Sequence, residues 1–255
     1  MTRYLVPLLV GLALLTIWEL WVDWAEIPVF ILPAPSAIGV ALVENFATLM
    51  ASLWVTVQVT AMAFFWAGVS AIGLAIIFTR ARLIEMAFYP YVITLQVTPV
   101  VAIAPLILIW VGFDNVTRAL VIIAWIVAFF PMLTNTVQGL RSVDPALHDL
   151  MSLSGANWRQ RLIYLELPAA LPSILTGAKI SGGLALIGAV VAEFVAGSGA
   201  STGLAWRIIE AGNRLEIATM FASLTLLSGL GIVLFYLLSF CEWLLLHRWH
   251  ESFRR

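Results

Sequence analysis

Few side chains here have the types and spacing to do chemistry. His247 and His250 stand three apart, which sets two imidazoles on one helix face, yet a protein metal site needs at least a third ligand. The single cysteine, Cys241, lies in an apolar run and offers neither a disulfide framework nor a thiolate set. The stretch 199-GASTG-203 fits a nucleophile-elbow pattern, but that pattern works only on a strand-turn-helix with histidine and acid partners, and here it lies in the glycine-rich turn 196-AGSGASTG-203. Lys179 is followed by Ile180, with no glycine five residues before it, so no phosphate-binding loop is built around it. Glu193 is the one acid near the end of an apolar run, where it either serves the interior or reaches water. The densest polar cluster is 155-GANWRQRLIYLELPAALPSI-174, which sets Arg159, Arg161 and Glu166 together.

The elements that must position these groups are apolar almost throughout. The 255 residues are 62% hydrophobic and 11% charged, and the mean hydropathy of +1.04 excludes a soluble globule. A net charge of -1 argues against a nucleic-acid partner. The expected fold is all-α, a polytopic integral membrane protein in contact with membrane lipid. Runs long enough to span a bilayer fall at 4–22, 52–78, 86–111, 117–138, 168–195 and 217–246, which makes six transmembrane helices. The first has no small-residue cleavage site after it and is expected to be retained. Between the first two, 33-PAPSAIGVALVENFATLM-50 predicts a short helix capped by Ser36 and lying in the membrane surface.

Basic residues set the expected orientation. With alternating spans, Arg3, Arg80, Arg82, Arg141, Arg159, Arg161, Arg248, Arg254 and Arg255 share one side, against Arg118, Arg207 and Arg214 on the other. Both termini and the 144–168 loop are then cytoplasmic. Prolines interrupt several spans, at Pro99, Pro105, Pro131 and Pro172, and kinks of this kind face protein or a watery cavity. Gln96, Thr98, Asn135, Ser181 and Glu193 are the candidates for a translocation pathway. Gly177, Ser181, Ala185 and Ala189 form a small-residue face that fits close packing within the chain, a subunit interface or a pore wall.

Residues 144–168 read as two short helices hinged at a glycine. Asp144 caps the first, with Pro145 in its first turn; Gly155 breaks it; Asn157 and Gln160 have capping-box spacing for a second helix through Leu165, and Pro168 closes the segment. A stiff, charged, amphipathic element of this kind fits docking, and a helix lying on a surface would show the same pattern.

The spacing of Asp149, Gly155 and 165-LELP-168, with Leu150 and Met151 where two alanines usually follow the acid, resembles the EAA loop of bacterial ABC-importer permeases. Residues 32-LPAPSAI-38, 95-LQVTPVVAIAPLILIWVGF-113, 130-FPMLTNTVQGLRSVDPAL-147 and 186-LIGAVVAEFVAGSGASTGL-204 resemble the nitrate/sulfonate/taurine branch, which also carries thiamine-precursor pyrimidines. The resemblance spans nearly the whole chain as one permease domain, residues 1–255, of the type I importer fold in the bacterial inner membrane. It implies two copies of the chain, cytoplasmic ATP-binding subunits that hold ATP and Mg, and an extracytoplasmic substrate-binding protein. It also implies that Asp149, Ser152, Gly155, Ala156, Asn157, Arg159, Arg161 and Pro168 couple ATPase movement to the spans. The chain itself is then expected to hold no catalytic or metal site and no cofactor. External Arg207, Glu210 and Arg214 fit contacts for the binding protein, and a solvated charge run would show the same residues. The alternative is an ion-coupled secondary transporter, which usually carries inverted repeats and intramembrane charges.

Overall fold

A computed structural model describes residues 2–196 and 202–247. Most of 199-GASTG-203 and the tail residues Arg248, His250, Arg254 and Arg255 fall outside the described residues, as does the side chain of Arg3. In chain order the helices are α1 (Thr2–Trp24), α2 (Pro35–Glu44), α3 (Phe46–Arg80), α4 (Arg82–Val97), α5 (Val100–Val111), α6 (Val116–Arg141), α7 (Pro145–Leu153), α8 (Trp158–Arg161), α9 (Leu167–Ala196), α10 (Leu204–Asn213) and α11 (Ile217–Leu246). Phe113–Asn115 forms a 3-10 turn, and Leu162–Glu166 a widened π turn. No strand occurs among the described residues.

Five helical bodies are long and apolar enough to cross a membrane: Leu5–Trp24, Phe46–Arg80, Val116–Arg141, Trp158–Ala196 and Ile217–Leu246. The expected third span differs from a simple kinked rod. α4 and α5 meet at a bend of 102° and count as a sixth span only if taken together. Pro99 explains the break. It lacks an amide hydrogen, and its ring forces Thr98 out of the helical region, to φ -68° and ψ 126°.

The described residues group into two compact units. The first comprises Met1–Thr56 and Gly197–Gly229. Its core gathers Ile38, Ala41, Leu49 and Ala222, with Trp18 and Phe221 against them. Ser36 is not the cap expected of it: Ala34 holds the N-cap position of α2 without a side-chain bond. Ser36 instead gives its amide hydrogen (3.0 Å) and its hydroxyl to the carboxylate of Glu19 on α1. An acid from another helix thus occupies the positive end of α2. The surface helix also ends earlier than expected, at Glu44, because α3 already begins at Phe46. A helix not anticipated from sequence, α10, buries Leu204, Ala205 and Ala211. Its first amide, at Leu204, donates to the Thr56 hydroxyl at 2.9 Å.

The second unit comprises Val57–Ala196 and Leu230–Arg255. Its centre is the pairing of α6 with α9, and small residues set how close the two lie. A Cβ on Gly188 would stand 2.8 Å from the Ala124 Cα. One on Gly177 would meet the Asn135 Cβ at 2.8 Å, and one on Gly139 the Ser173 Cβ at 2.8 Å. Ser181, Ala185 and Ala189 are buried on the same helix, so the small face of α9 serves packing within the chain. α3 adds a second small stripe, Ala63, Ala67, Ala71 and Ala75, one residue per turn and wholly buried.

Candidate functional site

The loop between α6 and α9 folds by local rules. The Asp144 side chain accepts from the Ala146 amide at 2.9 Å, capping α7, and Pro145 fills its first turn. At the other end Gly155 adopts φ +71°. The Gly155 amide donates to the Ser152 carbonyl and the Ala156 amide to the Met151 carbonyl, both at 3.0 Å, which closes a Schellman motif. Asn157 and Gln160 then complete a reciprocal capping box at 3.0 and 2.8 Å. Arg161 Nε returns to the Ala156 carbonyl at 3.2 Å, fastening α8 to the turn. Each cap contributes about 1 kcal/mol, enough to hold short helices that would not persist alone.

The second helix does not end at Leu165 as expected. The chain runs from α8 through the widened turn into α9 as one body, Trp158–Ala196. Pro168, expected to close the segment, sits in the first turn of α9 and explains the widening. It has no hydrogen to give the Tyr164 carbonyl, and the ladder shifts to an i→i+5 bond from Leu167 to Leu162.

α7 buries none of its residues. Asp149 and Ser152 are exposed, as are Leu147, Leu150 and Leu153. Leu153 reaches 88% exposure. Asn157 and Arg159 are exposed, and Ala156 and Arg161 partly so. What fixes this segment to its unit is a contact that sequence spacing did not disclose. Glu166 is buried and ion-paired with Arg80 at the end of α3. The Arg80 guanidinium also lies 5.9 Å from the Trp158 ring centroid, and Arg159 lies 5.4 Å from the same ring. Leu162 joins the buried cluster that holds Ala71, Ala75 and Phe78 of α3.

The five pathway candidates are not brought to one place. Gln96 is exposed and Thr98 half-buried at the α4–α5 bend, where the Thr98 hydroxyl donates to the Thr94 carbonyl at 2.7 Å. Asn135 Nδ2 donates to the Pro131 carbonyl at 2.8 Å while its Cβ packs on Gly177, so it serves the α6–α9 seam. Ser181 of α9 is fully buried, its hydroxyl without a partner among the described residues. Glu193 is also fully buried, which removes the reading in which it reaches water. Lys179, the lone lysine, is paired with Glu242 of α11 at 2.6 Å. Glu19 and Glu242 show that the spans hold more acids than sequence reading counted. Their signal was available as carboxylates inside runs otherwise fit for lipid.

Among the described residues the protein is all-helical, with helices able to cross a membrane several times and an exposed, capped segment between α6 and α9. The chain matches, over residues 67–241, the family described as binding-protein-dependent transport system inner membrane component, and it belongs to that family. It is 34% identical to the riboflavin transport system permease RibX of Chloroflexus aurantiacus, over 94% of this chain and 88% of that one. It is 31% identical to the formylaminopyrimidine transport permease ThiX of Halalkalibacterium halodurans, over 89% of each. A Bacillus subtilis permease named for aliphatic sulfonates is 29% identical, over 88% of this chain and 80% of its own. The protein is therefore an ABC-importer permease of the inner membrane, in the branch that includes the sulfonate carriers.

Proposed function

We propose that α7 is the helix received by a separate ATP-hydrolysing subunit, and that two copies of this chain enclose the path of a small heterocyclic solute. The observation that carries the docking reading is α7 itself. Leu147, Leu150 and Leu153 stand exposed beside Asp149 on a helix capped at both ends. Apolar side chains held so rigidly suit a partner's cleft better than free water. In this reading ATP and Mg are bound by the partner subunits, both termini lie in the cytoplasm, and an extracytoplasmic binding protein delivers the cargo. Closure of the two ATPases around nucleotide draws the two α7 helices together, and the spans pass from inward- to outward-facing. Gln96 and Thr98, at the α4–α5 bend, are the two candidates with enough exposure to line the path, while Asn135, Ser181 and Glu193 support it from within the packed helices.

The neutral cargo rests on electrostatics. Lys179, the lone lysine, spends its charge on Glu242, which leaves little to attract a sulfonate or nitrate in the spans. Relatives named for riboflavin and formylaminopyrimidine support a heterocycle, whereas the one named for aliphatic sulfonates supports an anion.

Two experiments test the reading. A Ser152→Cys variant in the complete complex is expected to crosslink to the ATPase, and no crosslink would remove the docking assignment. The binding protein encoded beside this chain is expected to gain thermal stability with flavins or pyrimidines. Stabilisation by taurine or alkanesulfonates instead would reassign the cargo as an anion.

A further inference from the structure

We propose that Arg80 and Glu166 are a positioning pair that ties the root of the α7–α8 segment to α3, so that displacement of α7 reaches two spans instead of one. The inference rests on the docking reading, since it concerns how a received displacement leaves the segment. Transfer to α9 needs no side-chain contact, because Trp158–Ala196 is a single helical body. Transfer to α3 needs a link between groups 86 residues apart in sequence, and three features supply it.

Glu166 is buried, so its carboxylate has exchanged water for the Arg80 guanidinium. Separating a buried charge from its counter-ion is costly, and the two ends are thereby held together through a motion. The same guanidinium rests against the Trp158 ring at the start of α8, which gives the joint a second point of attachment. Leu162 adds an apolar anchor among α3 residues, so the root does not slide when the tip is pushed. Register matters too. The widened turn ahead of Pro168 adds one residue, and this offsets Glu166 from α8 by about 100° relative to a regular helix. Arg80 therefore has a role beyond marking the basic side of the membrane.

The test uses the whole complex, permease with the ATPase and binding protein from its gene neighbourhood, in proteoliposomes, and reads uptake per ATP hydrolysed. Glu166→Gln and Arg80→Gln are each expected to assemble and to hydrolyse ATP. Each should lower uptake per ATP by roughly tenfold, within the range of coupling between contacting charged side chains. The exchanged pair, Arg80→Glu with Glu166→Arg, should recover most of it, which a merely structural defect would not do. Wild-type ratios in both single variants, or an exchange no better than either, would overturn the proposal. Crosslinking through Ser152→Cys separates the two levels. A retained crosslink with a lowered ratio places the fault past the docking surface, and a lost crosslink in the otherwise unaltered complex sinks the docking reading and this inference with it. Should the glutamine variants not assemble, Arg80→Lys takes their place, because it keeps the charge without the planar fork. A lowered ratio with intact assembly then supports the pairing, and an unchanged ratio overturns it.

Discussion

Gly155 carries the turn between α7 and α8 for a reason confined to its backbone. At φ +71° a side chain is strained, yet nothing stands within 4 Å of where a Cβ would lie. Gly155→Ala therefore isolates conformation from packing. It is expected to cost about 1 kcal/mol, with Gly155→Asn costing less, because asparagine tolerates the left-handed region. Limited proteolysis of the 145–161 segment should rank the variants in that order. Gly155→Pro cannot adopt the angle at all, and it should leave insertion intact while separating ATP hydrolysis from uptake. Equal protease resistance in all three would discredit the role given to this turn. This turn was legible in the sequence, because its caps and glycine act over three to six residues. The pairs Arg80 with Glu166, Glu19 with Ser36 and Lys179 with Glu242 were not, since nothing in a linear pattern says which distant charge will face which.

Among the elements, the α6–α9 seam is the contact most exposed to a single methyl group. Gly188→Ala drives a Cβ against the backbone of Ala124, which cannot rotate away. Overpacking of this kind costs about 1–3 kcal/mol. Gly183→Ala, five residues earlier with open space around it, should be close to neutral. Thermal unfolding in detergent should separate the two, and equal losses would show that the seam does not govern stability. The small residues of α9 were visible beforehand, but not their partner: a fourfold repeat marks a close approach without saying whether the neighbour is in the same chain. The stripe of Ala63, Ala67, Ala71 and Ala75 on α3 carries the same signal and was available in the sequence. The break between α4 and α5 was announced by Pro99, although its sharpness was not, because proline states where a helix yields and tertiary packing decides how far.

For the whole molecule, span positions were the most legible feature, since a bilayer imposes one long apolar run per crossing whatever the packing. The ends of the six expected runs fall within six residues of the ends of α1, α3, the α4–α5 pair, α6, α9 and α11, with the bent pair as the exception in form. Orientation makes a prediction at this scale. The bias of arginines to one side calls for both termini in the cytoplasm. A fluorescent protein fused after Arg255 should therefore mature inside the cell, and an alkaline phosphatase fused there should stay inactive. The reverse pattern would invert the topology and put α7 on the wrong face to meet an ATPase. The exposure of Leu153 has a further consequence for the cell. On the docking reading, a permease made in excess of its ATPase displays that leucine continuously in an aqueous compartment. Chaperones and proteases recognise such surplus apolar surface, so the abundance of this chain should follow that of its motor subunit without any regulator dedicated to matching them.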